Sequence, residues 1–502
     1  MRADYRGKIR IQPAPRAILS ARSGKARHAV TPRPRVNFAH PPVEGVTDAS
    51  QGHSNKQRSA ITEPNRIPRE QHPISRANIS PGALKVLYGL KDAGYEAYMV
   101  GGGVRDLLAG IEPKDFDIAT SAHPDQIKRV FRSCRLIGRR FMIAHVRAGE
   151  EVLEVTTFRG PITDSHERDE TGRILSDNVY GTLEEDAFRR DFTINALYYD
   201  IRDFSIVDFC GGVDDLNARQ LRLIGDPELR YREDPVRMLR AIRIANKLGF
   251  DIAPESAEPI ARLAPLLREI PPARLFDEIL KLFLNKDALA NFEGLRRHGL
   301  FAELFPATAR SIDAAKRDLE LLRIAMSSTA DRVKRDLPVT PAFLYGALLW
   351  PPYADRAYEL EVERGHDPVT AQNQAADEVL AKQMHRIAIP KRFSLPMREI
   401  WSVQPRFEDL RPGRAKRLLT HPRFRAAYDF LLLRAQAGEP GCAALADWWT
   451  KAQVGVSLPA PIDGDEGYDE GSEAVADGEA GQPGSGAPKK RRRRGGRNRR
   501  KG

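Results

Sequence analysis

Cysteine is scarce in this chain. Three occur in 502 residues, Cys134, Cys210 and Cys442, and none stands at metal-ligand spacing from another. That excludes a disulfide framework and a cysteine-rich zinc site, and it fits a reducing compartment. An uninterrupted apolar run long enough to span a bilayer is also missing, as is a charged-then-apolar signal segment, so the expectation is a cytoplasmic protein. No fixed-period repeat is present, which argues against a solenoid or propeller. The length exceeds one ordinary domain and leaves ample core for two or three units.

Positive charge, by contrast, is plentiful, and its distribution matters more than its sum. The net charge is +12, with 80 Lys/Arg against 68 Asp/Glu. Residues 1–76 hold 15 Lys/Arg against 5 Asp/Glu and residues 452–502 hold 10 against 8, which leaves 55 of each sign between them. The centre is formally neutral and the excess sits at the ends. Residues 1–67 are rich in Pro, Arg, Ser and Ala without apolar periodicity, and residues 457–488 run acidic with Gly and Pro before K-K-R-R-R-R-G-G-R-N-R-R-K-G. Both ends read as disordered. The Arg-rich, acid-poor start also admits a transit peptide or an overextended start. The last fourteen residues carry ten cations, a composition suited to a nonspecific phosphate-binding arm.

Between the ends, the chain changes character once. From about 80 to 210, helical patterns alternate with β-rich runs such as Y-E-A-Y-M-V, M-I-A-H-V and V-L-E-V-T-T-F, an α/β or α+β pattern. From about 212 to 451, segments such as A-R-L-F-D-E-I-L-K-L-F-L repeat apolar residues at helical spacing, which predicts an all-helical remainder.

Four motifs in this span carry chemistry. In K-D-F-D-I-A-T, an extended strand would turn Asp115 and Asp117 to one face and Phe116 and Ile118 to the other. Alone, such a pair is as compatible with a solvated edge strand; alternatively the two like charges hold a hard divalent cation between them. Upstream, G-G-G-V-R-D at residues 101–106 follows a strand and opens a helix, where free backbone N–H groups and the helix dipole favour phosphate. It is neither a dinucleotide fingerprint, since Asp106 stands where the last glycine belongs, nor a P-loop. Downstream, Glu154 in L-E-V-T-T-F-R-G offers a third carboxylate or a surface ion pair with Arg159, and a polar stretch at 160–183 is long enough for a mobile loop. Arg189, Arg190 and Asp191 then precede an apolar run, the guanidiniums suiting a triphosphate. Last comes E-D-P-V-R-M-L-R-A-I-R-I-A-N-K-L-G, a helix predicted with Asp234 as N-cap, Pro235 in the first turn and Gly249 as stop. Its Arg237, Arg240 and Arg243 form a stripe that reads either as a solvated face or, at Asp234 and Arg237, as an acceptor and a forked donor for a base edge. A lone His366-Asp367 pair reads as a loop. Together the motifs suit metal-assisted in-line nucleotidyl transfer.

The order G-G-G-V-R-D, D-F-D, E-V-T-T-F-R, R-R-D-F-T-I-N and E-D-P-V-R-M-L-R resembles the class II nucleotidyltransferases of the DNA polymerase β superfamily, which comprise bacterial poly(A) polymerases and CCA-adding tRNA nucleotidyltransferases. Within them L-I-G-R-R-F-M-I-A-H-V, P-R-E-Q-H-P-I-S-R and H-P-R-F-R-A-A-Y-D resemble the poly(A) polymerases. The resemblance implies an α+β fold class: a polymerase-β-like nucleotidyltransferase head over 68–211, an all-α neck over 212–275 with the nucleotide-binding motif, and an all-α RNA-binding body over 276–456. An extension at 1–67 and a tail at 457–502 flank these. It further implies two Mg2+ ions held by Asp115 and Asp117, Asp191 as a third catalytic acid with Glu154 as its rival, and ATP as substrate. The nucleotide-binding set it implies is Gly101, Gly102, Gly103, Arg105, Asp106, Arg189, Arg190, Asp234, Arg237 and Arg240. RNA 3′ ends are the expected partner, with RNA-decay or RNA-chaperone proteins beside them. The runner-up activity is CCA addition to tRNA, and a noncatalytic RNA-binding protein is the alternative from another class.

The basic end generates a test of its own. Deleting residues 489–502 should weaken RNA binding and flatten its dependence on salt while the nucleotide preference stays the same, because fewer counterions are released. Dissociation constants at several salt concentrations check this.

Overall fold

The computed structural model describes residues 63–138, 142–160, 179–456 and 458–459. The extension up to residue 62, Arg139, Arg140 and Phe141, most of the 160–183 loop, the acidic block and the basic tail lie outside them.

An eight-stranded sheet forms the first layer, in the order β1-β8-β7-β2-β3-β6-β5-β4. Its strands are β1 (Asn65–Ile67), β2 (Ala97–Val100), β3 (Asp117–Thr120), β4 (Cys134–Ile137), β5 (Ile143–Ala148), β6 (Glu151–Thr157), β7 (Leu197–Asp200) and β8 (Ile206–Asp208). β3 and β6 run parallel, and the other neighbours are antiparallel. The central strand A-Y-M-V is buried at all four positions, because helices or loops cover both faces there. One face carries Met99, Ile118, Val155 and Tyr199; the other packs Tyr98, Val100, Ala119 and Tyr198.

Two helices bracket β2. α1 (Pro81–Asp92) starts at Ser80, whose hydroxyl accepts from the Ala83 N–H, with Pro81 fitting the first turn. α2 (Gly102–Leu108) leaves β2 through the single residue Gly101 at φ 74°, ψ −131°, a conformation that only glycine adopts without strain. α3 (Pro124–Val130) and α4 (Leu183–Arg189) complete the head. β1 corrects the expected boundary: the ordered head begins by residue 65, inside the predicted extension, because Arg66 pairs with Val207 and buries Ile67 against the sheet edge.

The remainder is helical as expected. α5 (Gly212–Ala218), α6 (Pro227–Glu233), α7 (Val236–Leu248), α8 (Pro254–Leu263) and α9 (Pro272–Phe283) come first, and further helices continue to Cys442–Ala452. A two-stranded parallel pair, β9 (Gln220–Leu221) with β10 (Asp251–Ile252), ties the turn before α6 to the end of α7. Gly249 stops α7 in the left-handed region at φ 67°, as predicted. Its start differs: Pro235 is the N-cap, and Asp234 instead closes α6 while accepting from the Val236 N–H.

Aromatic packing holds the helical part. Trp401 stacks on Tyr353 at 4.4 Å and donates its indole N–H to the Gly346 carbonyl at 3.0 Å. Trp401→Ala should cost about 4 kcal/mol through cavity formation, read by chemical denaturation.

Candidate active site

Strand pairing brings two of the motifs together. Asp117 opens β3 opposite Val100, the last residue of β2, and the glycine turn begins at the next residue. A methyl group placed on Gly101 would lie 3.5 Å from Arg190 Nη1 and 3.8 Å from Asp117 Oδ2. The glycine turn, one aspartate of the pair and an arginine therefore border one space. Asp115 sits just before β3 rather than in it, and its backbone lies close under the turn: a Cβ on Gly103 would be 3.3 Å from the Asp115 carbonyl oxygen.

Glu154 joins them by register. Val155 of β6 faces Ile118 of β3, so Glu154 and Asp117, each one residue earlier, share the opposite face of the sheet. Water reaches Asp117, yet the cleft walls withdraw most of its solvent. This partial burial, the charge of Glu154 and, more weakly, that of Asp115 push the Asp117 carboxyl up to about 6, against the pull of Arg190 and Arg240. Glu154 also lies 3.4 Å from His145 Nε2 across the β5–β6 pair. Among the described residues no group of three or more His, Cys, Asp or Glu is drawn together tightly enough to hold a metal ion. Carboxylate oxygens such as those of Asp115, Asp117 and Glu154 are the ligand type that a hard cation takes.

Arg190 is held over this space. It binds Asp186 at 3.0 Å and the Tyr198 hydroxyl at 2.9 Å. Burial pushes the Asp186 carboxyl up, but Arg190, Arg159 and the Tyr198 hydroxyl outweigh it, so the group titrates below its ordinary value. Arg189 turns away to the Gly160 carbonyl.

Asp191 is fully committed. Its Oδ1 accepts from the Phe192 N–H and the Asn195 amide, both at 2.9 Å, and its Oδ2 from Arg240 Nε at 2.8 Å. Burial raises its pKa, but Arg240 and these hydrogen bonds hold the carboxyl well below the usual range. Arg105 and Asp106 are likewise buried and paired, Arg105 with Asn195 at 2.7 Å and Asp106 with Lys247 at 2.8 Å. In α7 the arginine stripe is no solvated face: Arg240 reaches the head, Arg237 binds Glu233 at 2.9 Å, and Arg243 is half-buried with its Nε enclosed and unpartnered. Asp234 pairs with Arg274 of α9 at 2.7 Å. His366-Asp367 forms no site: Asp367 caps the next helix, accepting from the Val369 and Thr370 N–H groups.

Sequence reasoning missed Asp186, Tyr198, Asn195 and Lys247 as members of this polar assembly. R-R-D-F-T-I-N did hint at Asn195, four residues after Asp191 and one turn away from it. Lys247 stands seven residues after Arg240, on the same helix face, a signal present in the stripe and left unread.

A mixed-sheet head with paired acids beside a glycine turn, followed by helices that send arginines back into the cleft, defines a nucleotidyltransferase. Comparison with known proteins is consistent and narrows the class. The family described as "Poly A polymerase head domain" matches residues 97–222, "Probable RNA and SrmB- binding site of polymerase A" matches 249–312, and "Polymerase A arginine-rich C-terminus" matches 364–500. Poly(A) polymerase I of Salmonella typhi is 49% identical over 398 residues, covering 77% of this chain and 85% of the relative. That of Haemophilus influenzae is 44% identical over 400 residues, 78% and 88% of the two chains. A CCA-adding enzyme of Levilactobacillus brevis is 40% identical over 221 residues, 44% of this chain and 54% of that one. The solved structure of the Thermotoga maritima CCA-adding enzyme complexed with tRNA is similar in fold, with TM-score 0.51 and 19% identity, covering 79% of this chain and 88% of that one. The chain belongs to the bacterial poly(A) polymerase family.

Asp191→Ala should destabilise the protein by about 3 kcal/mol, because it strips Arg240 of its counter-charge and leaves Asn195 half-satisfied. Thermal unfolding beside wild type reads the effect.

Proposed function

We propose that the chain adds AMP units from ATP to RNA 3′ ends without a template. The observation that carries the reading is the space bordered by Asp117, the Gly101 turn and Arg190, with Asp115 and Glu154 around it. The breadth of the poly(A) polymerase match, against a CCA-adding match that stops at about half of each chain, supports ATP polymerisation over CCA addition.

Asp115, Asp117 and Glu154 would hold two Mg2+ ions, of which the bound metal supplies Lewis acidity at the attacking hydroxyl and the departing pyrophosphate. Asp115 and Asp117 come from one turn and strand start, so their separation is set by the backbone. Glu154 serves as the third carboxylate because it faces Asp117 from the neighbouring strand. Asp191 acts beside it as an anchor, since both of its oxygens are occupied by protein donors. The N–H groups of the Gly101–Gly103 turn and Arg190 would receive the phosphates, the guanidinium being fixed by Asp186 and Tyr198 before the nucleotide arrives. Arg105 and Asp106, buried and paired, support that turn rather than touch the nucleotide. Asp234 and Arg237 at the start of α7 would read the base, while Arg240 orders Asp191.

RNA is the macromolecular partner, with phosphate charge on the body and basic ends carrying its affinity. Among the described residues no helix is long and apolar enough to cross a membrane. Tailing of RNA places the activity in the cytoplasm, where decay or chaperone proteins acting on the same RNA are its natural associates.

One assay decides the reading. Purified protein with Mg2+, a non-tRNA oligonucleotide and each nucleoside triphosphate separately should give long ladders with ATP alone. Asp115→Asn, Asp117→Asn and Glu154→Gln should each lower AMP addition by about 10²-fold or more with RNA affinity nearly unchanged, and chelation should abolish it reversibly. Three additions to a trimmed tRNA from CTP and ATP, without ladders on the oligonucleotide, would instead establish CCA addition.

A further inference from the structure

One closed circuit of polar contacts joins the head to helix α7, and none of its links is at the reacting centre. Lys247 Nζ binds Asp106 Oδ2 at 2.8 Å. The other oxygen of Asp106 accepts from Arg105 Nε at 2.9 Å and Nη2 at 2.6 Å. Arg105 Nη1 donates to Asn195 Oδ1 at 2.7 Å, and Asn195 Nδ2 donates to Asp191 Oδ1 at 2.9 Å. Asp191 Oδ2 accepts from Arg240 at 2.8 Å, and Arg240 and Lys247 both belong to α7. Charges alternate along the circuit, with the neutral Asn195 joining Arg105 to Asp191. The Arg105 and Asp106 side chains are 6% and 4% exposed, so their mutual contact is shielded from competing water, while Lys247 and Arg240 reach it from the rim, 32% and 33% exposed.

Its geometry has a mechanical meaning. A single contact between head and helix would let the helix swing about that point. Arg240 and Lys247 are seven residues apart, two helical turns or about 10 Å along the axis, and two anchors at that distance remove the swing. What they align is specific. Asp106 and Arg105 belong to α2, which starts at the Gly101 turn beside Asp117, whereas Asp234 stands just before α7 and Arg237 in its first turn. Arg243, between the anchors on α7, feels the charges of Arg105 and Asp191 and so lies within reach of both sides of the circuit.

We propose that Lys247 is a positioning residue for nucleotidyl transfer, which registers the base-reading start of α7 against the phosphate-holding turn of the head through the Asp106–Arg105–Asn195–Asp191–Arg240 circuit. Lys247 touches neither nucleotide nor metal. It fixes the distance between the two ends of one bound nucleoside triphosphate, so the α-phosphate stays in line with the primer hydroxyl. Misplacement by about 1 Å at such a centre costs on the order of 10²-fold in rate. The inference rests on the AMP-adding reading above.

The test compares wild type, Lys247→Met, Lys247→Arg, Asp106→Asn and the double variant Lys247→Met/Asp106→Asn in steady-state AMP addition to an oligo(A) primer, with ATP varied. Lys247→Met should lower kcat by about 10- to 100-fold and change KM for ATP less than about threefold, and Lys247→Arg should recover most of the loss. The double variant should fall no further than the worse single variant, as expected when two residues act through one contact. A rise in KM with kcat intact would overturn the proposal, making Lys247 a direct nucleotide contact. Multiplying effects in the double variant, a kcat that Arg fails to restore, or unchanged kinetics would overturn it as well. Circular dichroism and thermal unfolding of every variant separate rate loss from unfolding. Wild type is assayed in parallel with ATP on the oligonucleotide and with CTP and ATP on trimmed tRNA. Failure of the function reading then shows in wild type, while failure of the circuit shows only in the variants, measured on whichever substrate wild type extends.

Discussion

Mutual repulsion among carboxylates is the constraint on which the rest of the site depends. Asp115 and Glu154 act on the Asp117 carboxyl, while Asp186 and Asp191 are each bound to an arginine that acts on it too, and like charges so placed repel one another if nothing opposes them. Two are neutralised from within the protein: Asp186 by Arg190 and the Tyr198 hydroxyl, Asp191 by Arg240 and Asn195. Burial, and after it the charge of Glu154, pushes the Asp117 carboxyl up. The arginines thus do more than screen. They offset the deeper negative charge and leave the remainder beside the glycine turn, at the start of β3.

This division of labour explains why the neck must stand against the head. Arg240 comes from α7, outside the sheet, so Asp191 of the head is balanced only when the helical part is in place. Arg274 on α9 pairs with Asp234, and Arg230 of α6 donates to the Arg189 and Arg190 carbonyls, which draws further helices onto the same boundary. Stability and site geometry are therefore properties of the joint rather than of either part.

Much of this was legible from residues near one another in the chain. Asp115 and Asp117 are two apart, and the glycine turn is a contiguous motif between strand and helix, so each motif was legible locally, while the pairing of β2 with β3 brings the turn beside Asp117. Gly249 as the stop of α7 followed from its freedom at positive φ. What local pattern could not supply was register between distant strands: only the parallel pairing of β3 with β6 sets Glu154 opposite the Asp117 face. The three-residue β1, with Pro64 and Pro68 on either side, gives too short an alternation to read as a strand, and β7 was hidden because L-Y-Y-D is buried on both faces. Arg237, Arg240 and Arg243 gave the right stripe, but whether solvent or the head faced it was a tertiary fact. Arg105 and Asp106 looked like ligands for a nucleotide for the same reason that they bind Asn195 and Lys247: buried charge demands a partner, and sequence does not say which.

The strand order also bears on how the chain comes to be folded as it is made. β2 pairs with β3 after a gap of some twenty residues, but its other neighbour is β7, and the edge strand β1 pairs Asn65 with Asp208. During synthesis the central strand therefore emerges with one flank open, and about a hundred further residues must follow before β7 can close it. Such long-range pairings are slow to form and expose strand edges meanwhile. A chain that ends before residue 208 would hold a head that cannot complete its sheet, and the unpaired flank of β2 would stay open to strands of other chains.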